Sequence, residues 1–407
     1  MPFDPARFRS LFPALDLQAG GRPAAFFDGP GGSQVPQAVI DAHRDYYVDR
    51  NANTHGQFLT SRRADETVTA ARTAAAALLG AAGPETISFG QNMTSLNFAL
   101  ARAIGRTLQP GDEIVVTDLD HDANVAPWLS LEERGVVVRA CPVHLDTCTL
   151  DMDALRSLIG PRTRHVAVGY ASNAVGTVND VGVVVRLAHE AGATASIDAV
   201  HFAPHGLIDV EALGTDFLLC SAYKFFGPHV GILYSRPGAL DRLPTDRVRP
   251  QDPAAPTRIE TGTLNHAALA GTTAAVETIA AQGDGASLRE RIAKAFAAIY
   301  PYEHGLARAL WQGLAQMPGV TLYGPAVGDG LRAPTVSFRI AGLEPENVAR
   351  RLGDQGFFVW DGDFYAVTLI ERLGLHRQGG VVRVGMAPYI LASEVQDLLA
   401  AIGSIAG

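Results

Sequence analysis

Short apolar runs alternate with longer amphipathic or alanine-rich stretches between about residue 65 and residue 220. The short runs predict buried strands at 86–89, 113–117, 136–140, 165–170, 194–197 and 217–220. The stretches between them predict helices at 65–79, 94–104, 123–133, 151–159 and 180–191. This alternation indicates an α/β fold in which helices cover both faces of a mostly parallel sheet.

The pattern differs on both sides of this region. Residues 1–35 are irregular and contain the Gly/Pro-rich segment FFDGPGGS, residues 36–50 predict a helix, and residues 51–56 a loop. Residues 236–262, rich in Pro and Arg, predict a long surface excursion. Helices at 272–281 and 288–317 follow, and then strands at 320–323, 335–340, 357–359 and 381–384 with helices at 346–355 and 393–402. We therefore predict three parts: an N-terminal segment (1–35) packed on the small domain and the site, a large domain (36–285) and a small α+β domain (286–407).

Composition narrows the function classes. The chain has 407 residues, 47% of them hydrophobic and 18% charged, with a net charge of −9. This acidic balance excludes a nucleic-acid footprint, and no apolar run approaches the roughly 20 residues that span a bilayer. The start of the sequence lacks the order of a signal peptide, and three scattered cysteines form neither a disulfide framework nor a metal site. We expect a cytoplasmic protein without a metal, a nucleic-acid partner or a membrane partner.

Lysine is scarce in this chain. Only Lys224 and Lys294 occur among 33 Lys and Arg residues, so a surface that needs only a cation is given arginine. A primary amine can lose its proton and form an imine, whereas a guanidinium cannot. Lys224 directly follows an apolar run, which points to a Schiff base with pyridoxal phosphate (PLP) or with a carbonyl substrate. A lysine that forms a salt bridge is the alternative.

Polar residues follow the predicted strands, where ligands bind in open α/β sheets. The segment Asn92-Met-Thr-Ser95 enters a helix, so Thr94 and Ser95 either bind a phosphate or only cap the helix. His121 is suited to stack on a flat ring or to move protons, and its alternative is a structural histidine. The amide of Asn173 is suited to hydrogen-bond a ring oxygen.

Asp198 closes another predicted strand, where an unpaired carboxylate is costly. A protonated pyridine nitrogen is a suitable partner, and a helix cap or an arginine partner is the alternative. Ser221, Tyr223 and Lys224 follow the next strand. Together these residues meet the needs of PLP.

The sequence resembles the class V (fold type I) PLP-dependent aminotransferase superfamily, in its cysteine desulfurase/selenocysteine lyase branch. The similar stretches are FFDGPGGSQVP, NANTHGQF, DHDANVAPW, SNAVGT, SIDAVH, SAYKFFGP, ETGTLNH and VRVGMAPY, which span nearly the whole chain. The resemblance implies a large domain with a mostly parallel seven-stranded sheet and a smaller C-terminal α+β domain.

The resemblance also implies a role for each matching residue. Lys224 would be the internal aldimine lysine, His121 would stack on the PLP ring, Asp198 would pair with its nitrogen, and Asn173 would contact its 3-oxygen side. Further cofactor-binding residues would be Thr94 or Ser95, Ser221, His201, Tyr223 and Thr263. Thr263 would reach the phosphate of the other subunit, which implies a homodimer. Arg383 would hold the substrate carboxylate, and His55, Asn173 and Tyr365 complete the predicted substrate site.

Three departures from the family pattern bear on the reaction. His201 stands where desulfurases usually have glutamine, and Tyr223 replaces the histidine that usually precedes the lysine. The stretch 359–366, which matches the loop with the sulfur-accepting cysteine, has no cysteine. We therefore expect no classical persulfide relay.

The function that follows is cysteine desulfurase-like or C–S lyase chemistry on an α-amino acid, through an external aldimine and a quinonoid. Transamination, epimerisation and carbon–carbon bond formation are alternatives on the same cofactor. A non-catalytic PLP-binding scaffold is an alternative of another class, although the retained Lys224, Asp198 and Arg383 argue against it. A Rossmann dehydrogenase is a weaker rival, because no G-x-G-x-x-G follows the first strand.

Overall fold

The computed structural model describes residues 3–328 and 330–407. Its largest sheet has seven strands in the order Ile87–Gly90, Gly231–Ser235, Phe217–Ser221, Thr194–Asp198, Thr163–Gly169, Glu113–Thr117 and Val137–Cys141. Gly231–Ser235 runs antiparallel to both of its neighbours, and the other adjacent pairs are parallel. The predicted mostly parallel seven-stranded sheet is therefore confirmed.

Helices pack on this sheet, and most have a recognisable start signal. The α-helices of this part are Gln37–Asp49, Leu59–Leu79, Met93–Gly105, Ala126–Leu129, Met152–Leu158, Val181–Glu190, Val210–Leu213 and His266–Ala280. The side chains of Asn92, Asp151, Asp180, Asp209 and Asn265 each accept a backbone N–H at a helix N-terminus. Each of these helices therefore begins where its own sequence supplies a cap.

Two of the differences from the sequence prediction lie in this part of the chain. Gly231–Ser235 was not predicted as a strand, although all five of its residues are buried. The helix predicted at 123–133 is instead a 3-10 turn (Asp122–Asn124), a short helix (Ala126–Leu129) and a second 3-10 helix (Ser130–Arg134). Pro127 lies in the first turn of the short helix, where its missing N–H costs nothing, so a new helix begins there.

The smaller sheet is antiparallel, in the order Val320–Tyr323, Thr335–Ile340, Val381–Gly385 and Trp360–Gly362. Its helices are Pro345–Gly353, Val367–Arg372 and Ala392–Ala406. The long helix Leu288–Ala315 precedes them and begins with a capping box between Ser287 and Glu290. Trp360–Gly362 was not predicted as a strand.

The N-terminal segment contacts both parts of the chain. Its elements are the helix Pro5–Arg9, the 3-10 helix Pro13–Asp16, the strand pair Gln18–Ala19 and Arg22–Pro23, and the strand Ala25–Phe26. The last strand pairs in parallel with Phe357–Phe358. The ring of Phe12 lies 5.4 Å from that of Phe226 and 5.1 Å from that of Tyr389.

The excursion at 236–262 contains only the 3-10 helices Leu240–Arg242 and Thr257–Ile259. Its end is fixed by Glu260, whose two carboxylate oxygens each lie 2.8 Å from a guanidinium nitrogen of Arg72. Glu260 also accepts the N–H of Phe89 at 2.7 Å. Within residues 3–328 and 330–407, no helix combines the length and the apolar character needed to cross a bilayer.

Candidate active site

A cavity opens at the carboxyl ends of the central strands. Thr163–Gly169, Thr194–Asp198 and Phe217–Ser221 all end beside it. It is lined by Asn92, Met93, Thr94, Asp120, His121, Ala123, Gly169, Ala171, Asn173, Asp198, Val200, His201, Ser221, Tyr223 and Lys224. Eight predicted site residues from separate parts of the sequence thus meet here: Thr94, His121, Asn173, Asp198, His201, Ser221, Tyr223 and Lys224.

Lys224 ends the 3-10 helix Ala222–Lys224, directly after a central strand. Its Nζ donates a hydrogen bond of 2.5 Å to the carbonyl of Pro30 and lies 4.9 Å from the centre of the Tyr223 ring. Burial, assisted by the charge of Arg383, lowers the pKa of Lys224 to about 7, while Asp198 acts in the opposite direction. The amine is therefore partly unprotonated near neutral pH and able to act as a nucleophile.

Asp198 is the last residue of its strand and is buried. Its Oδ1 accepts the N–H of Val200 at 2.9 Å. Burial raises the pKa of Asp198 to about 6, while that hydrogen bond and the charge of Lys224 lower it. A buried carboxylate with so few stabilising contacts favours the binding of a ligand that carries a cationic group.

The start of the helix Met93–Gly105 forms one end of the cavity. The N–H of Met93 donates to Oγ of Ser221 at 3.1 Å, so the hydroxyl and the helix N-terminus lie together. Thr94 lines the cavity, but Ser95 does not. The hydroxyl of Ser95 instead donates to the carbonyl of Asn92 at 2.9 Å, and its side chain faces a neighbouring groove.

His121 is covered by an aromatic side chain of the small domain. Its ring stacks on that of Tyr365, with the centroids 5.3 Å apart and the planes at 26°. Nδ1 of His121 accepts the N–H of Ala123 at 3.0 Å, which leaves Nε2 as the protonated nitrogen of the neutral ring. Burial, with the charges of Lys224 and Arg383, lowers the pKa of His121 to about 4, so the ring is neutral at pH 7.

Asn173 and Arg383 form a second polar group beside the cavity. Nδ2 of Asn173 donates to the carbonyl of Phe364 at 2.9 Å, and Nη1 of Arg383 donates to the carbonyl of Asn173 at 3.1 Å. The Phe364 ring lies 3.9 Å from the guanidinium carbon of Arg383. Oδ1 of Asn173 and Nε of Arg383 are buried and make no hydrogen bond to any described residue. Such unused polar atoms are available to a ligand.

The other two predicted lining residues are held by neighbours. Nε2 of His201 lies 2.9 Å from the hydroxyl of Thr335, and the Tyr223 ring stacks on that of His229 at 4.7 Å. His201 therefore borders the cavity with one ring nitrogen already engaged.

Comparison with known proteins agrees with this arrangement. The sequence profile of the family described as "Aminotransferase class-V" matches residues 25–398. The chain belongs to the class V aminotransferase family. Its membership, predicted from the sequence, is confirmed, and this is a family of PLP-dependent enzymes.

The relatives of this class V protein include cysteine desulfurases. The "Probable cysteine desulfurase" of Mycolicibacterium paratuberculosis is 35% identical over 99% of this chain, which spans only 58% of that relative's length. The "Cysteine desulfurase" of Dickeya dadantii is 32% identical, over 98% of this chain and 96% of its own.

Solved structures support the same branch of the class V family. The cysteine desulfurase CsdA of Escherichia coli superposes with a TM-score of 0.84 at 28% identity, over 99% of this chain and 98% of its own. An apo cysteine desulfurase from Thermococcus onnurineus gives 0.87 at 28% identity, over 100% and 98% of the two chains. The fold type I architecture is thereby confirmed.

Two predicted site residues of the class V protein lie in a separate surface groove instead of the cavity. His55 and Thr263 are both exposed and line one shared surface groove. Nδ1 of His55 lies 3.4 Å from Oδ1 of Asp65. A single chain does not bring these residues to Lys224, so their predicted roles require a second subunit.

Sequence reasoning missed three contributors to the site. Asp120 lines the cavity, accepts the N–H of Gly169 at 2.9 Å and the amide of Asn124 at 2.9 Å, and has its pKa raised to about 7 by burial. Pro30 and Phe364 contribute backbone carbonyls to Lys224 and Asn173. Asp120 had a sequence signal, since it precedes His121 after a predicted strand. Backbone carbonyls leave no such signal.

The residues that line this cavity fit PLP. A helix N-terminus with Ser221 suits the phosphate of PLP, and the buried carboxylate of Asp198 suits its pyridine nitrogen. The unused Oδ1 of Asn173 is able to accept a hydrogen bond from a donor group on the edge of the PLP ring. The lysine amine of lowered pKa lies in the same cavity. No cluster of side chains suited to a metal ion occurs among residues 3–328 and 330–407.

Proposed function

We propose that this protein is a PLP-dependent enzyme that cleaves the Cβ–S bond of an α-amino acid, with desulfurase-like or C–S lyase chemistry. The observation that carries this proposal is the amine of Lys224, with a pKa of about 7, in one buried cavity with the carboxylate of Asp198. PLP, when bound, supplies an aldehyde that condenses with amines and a ring that withdraws electrons from Cα.

The protein's own residues supply the remaining functions. Ser221 and the N-terminus of Met93–Gly105 would bind the phosphate of PLP, and Asp198 would keep its pyridine nitrogen protonated. With PLP bound, the amine of Lys224 would be the base that accepts the Cα proton, because a pKa of about 7 leaves it largely neutral above that pH. His121 would keep the PLP ring in place by stacking on it.

Arg383 binds the substrate carboxylate. Its guanidinium is buried, its Nε has no partner among the described residues, and its flat face is covered by Phe364. A planar fork with free donors suits a carboxylate. Phe364 therefore restricts where an amino acid is able to lie.

The leaving thiolate needs a proton. Tyr223 lines the cavity, and burial raises its pKa, so its phenol keeps its proton at neutral pH. His121, with a pKa of about 4, has no acidic imidazolium proton to give at that pH. Tyr223 is therefore the better donor of the two.

The fate of the sulfur follows from the cysteines. Cys141, Cys148 and Cys220 are all buried, none lines the cavity, and burial raises the pKa of each thiol. Thiolates attack sulfur and thiols do not, so these side chains are poor acceptors. Release of a free thiol is therefore favoured: R–S–CH₂–CH(NH₃⁺)–COO⁻ and water give R–SH, pyruvate and ammonium.

The attachment of PLP is tested by borohydride reduction followed by peptide mapping. The label is expected on Lys224, and Lys224→Arg is expected to abolish both the label and turnover. Lys294→Arg is the matched control, because Lys294 is the other lysine of the chain and pairs with Asp284 on the surface. Label on Lys294 alone, or turnover by Lys224→Arg, would refute the proposal.

The reaction is tested by product analysis with L-cysteine and S-substituted cysteines. Sulfide or thiol with equimolar pyruvate indicates elimination, and alanine formed only with an added thiol acceptor indicates desulfuration. Transamination to a 2-oxo acid that retains its sulfur, or racemisation without bond cleavage, contradicts cleavage of the Cβ–S bond.

We extend the proposal to a homodimer in which His55 and Thr263 of one subunit complete the cavity of the other. Both residues are exposed and lie outside the cavity of their own chain. Mixing inactive Lys224→Arg with a weakened Thr263→Ala variant is expected to restore part of the activity, because one hybrid site receives both intact residues. A monomer in sedimentation experiments on the holoenzyme would contradict this assembly.

A further inference from the structure

A buried histidine–glutamate pair lies behind the cavity, outside the residues that line it. Nδ1 of His205 and Oε2 of Glu303 are 3.0 Å apart, and both side chains are buried. His205 belongs to the loop after the strand Thr194–Asp198, whereas Glu303 belongs to the helix Leu288–Ala315. Their sequence separation of 98 residues hides the pair from any motif search.

The pair reaches the cavity through His201. The rings of His201 and His205 meet edge to face, with centroids 5.6 Å apart and planes at 75°. On its other side, Nε2 of His201 is held by the hydroxyl of Thr335 at 2.9 Å. His201 is therefore fixed by one hydrogen bond and one ring contact, and His205 is in turn fixed by Glu303.

Stability alone is a poor reason for this pair. Burying a carboxylate costs several kcal/mol, and apolar residues of similar volume often fill such a space at no loss of stability. Oε1 of Glu303 is buried and accepts no hydrogen bond from any described residue. Burial raises the pKa of Glu303, and only the contact with His205 lowers it. A costly pair kept next to a cavity residue indicates a role towards that residue.

We propose that His205 and Glu303 are positioning residues that hold His201 as a fixed, neutral ring at the wall of the cavity. The consequence for catalysis rests on the proposed function, because His201 is expected to meet PLP. With Nε2 engaged by Thr335, Nδ1 of His201 remains available to a ligand.

The charged groups around His201 act together. His205 comes from the same loop, Lys224 from the 3-10 helix Ala222–Lys224, and Arg383 from the strand Val381–Gly385. Each of the three lowers the pKa of His201, and burial lowers it most. Oε2 of Glu303 holds Nδ1 of His205 at 3.0 Å, so removing the carboxylate loosens the orientation of His205 and its ring contact with His201.

The test uses Glu303→Gln, which keeps the shape but removes the charge. In the apoprotein, ¹⁵N NMR of the histidine rings, assigned with His201→Gln, is expected to show one tautomer for wild-type His201. Glu303→Gln is expected to shift the His201 ring signals towards a tautomer mixture and to weaken PLP binding several-fold. His205→Gln is the second variant and is expected to act in the same direction.

Asp216→Asn is the matched control, because Asp216 is another buried carboxylate, 2.8 Å from Nε2 of His189 and outside the cavity. It is expected to lower thermal stability and to leave the His201 signals unchanged. Wild-type His201 signals and PLP affinity in both Glu303→Gln and His205→Gln would overturn the proposal. Since the NMR readout needs no cofactor, failure of wild-type protein to bind PLP would count against the proposed function instead.

Discussion

Burial shifts the pKa values of Lys224 and Asp198 in opposite directions, and each shift favours the neutral form of the side chain. The pKa of Lys224 falls to about 7, and that of Asp198 rises to about 6. Each group opposes the shift of the other, so neither is fully neutral in the apoprotein. Perturbed pairs of this kind are typical of sites where a proton is moved.

The reaction of the apoprotein with PLP is expected to depend on pH through Lys224. Only the unprotonated amine attacks an aldehyde, so the rate rises as pH increases through about 7 and then levels off. With a lysine of ordinary pKa, the rate would continue to rise up to about pH 10. Stopped-flow absorbance measures this rate, and Arg383→Met is expected to move the midpoint upwards because Arg383 helps to lower the pKa.

The matched control for this experiment is Lys294→Arg, which should leave the midpoint unchanged. A midpoint close to pH 10 for wild-type protein would show that Lys224 is not desolvated as described.

At the scale of elements, the segment after the strand Trp360–Gly362 fastens the small domain to the cavity. Phe364 and Tyr365 both adopt the left-handed region, with φ of +57° and +59°. This conformation is uncommon for bulky residues and persists where surrounding contacts enforce it. Here the carbonyl of Phe364 accepts from Asn173 and that of Tyr365 from Asp122, at 2.9 and 2.7 Å.

Removing the Tyr365 ring is expected to expose His121. Since burial is the main cause of its low pKa, Tyr365→Ala should raise the pKa of His121 from about 4 towards its ordinary value of 6.5. More imidazolium is then present at pH 5, which NMR titration of the apoprotein detects. Tyr365→Phe keeps the stacked ring and serves as the control; equal pKa values in wild-type protein and Tyr365→Ala would refute the covering role.

The buried ion pair between Arg72 and Glu260 leads to a second prediction about how elements are joined. The buried pair joins the helix Leu59–Leu79 to the end of the surface excursion, and Glu260 also holds the edge strand Ile87–Gly90. Removing one partner of a buried pair leaves an uncompensated charge, so Arg72→Met should lower the free energy of unfolding by about 3–5 kcal/mol. Urea denaturation of the apoprotein measures this loss.

The double variant Arg72→Met/Glu260→Gln should recover part of that loss, because no charge then remains buried. A double variant as unstable as the sum of its single variants would contradict the explanation.

The sequence predicted those elements whose pattern is local. The short apolar runs located the central strands. Because a strand ends where its apolar run stops, they also placed His121, Asp198 and Lys224 after strand ends. Gly231–Ser235 was missed because its pairing with Ile87–Gly90, a strand far earlier in the sequence, is not encoded in its own pattern. The Glu303–His205 contact was missed because the two residues are far apart in the sequence. Ser95 does not reach the cavity because its hydroxyl bonds to the carbonyl of Asn92 in a local turn.

At the scale of the whole molecule, residues 8–12 contact both the large domain and the C-terminal part of the chain. Phe8 is fully buried, and its ring lies 5.5 Å from that of Phe226. Phe226 is only two positions after Lys224 in the sequence. Arg9 pairs with Glu394 of the last helix at 3.1 Å. The N-terminal segment thus connects the surroundings of the site to the end of the chain.

Phe8→Ala is expected to destabilise the apoprotein by about 3–5 kcal/mol, the usual cost of removing a buried phenylalanine ring. Leu17→Ala is the control, since Leu17 is exposed and should change stability by less than about 0.5 kcal/mol. Both values come from urea melts. Equal stability of the two variants would show that the N-terminal segment is not part of the packed core.

The contact between Arg9 and Glu394 joins residues 385 positions apart. During synthesis the first segment therefore leaves the ribosome long before its partners Phe357, Tyr389 and Glu394 exist. The segment cannot complete its packing until those partners have been synthesised, and Phe12 lacks its contact with Tyr389 in the meantime. Vectorial synthesis thus makes the docking of this segment a late step, which follows the synthesis of residue 394 although the segment itself is made early.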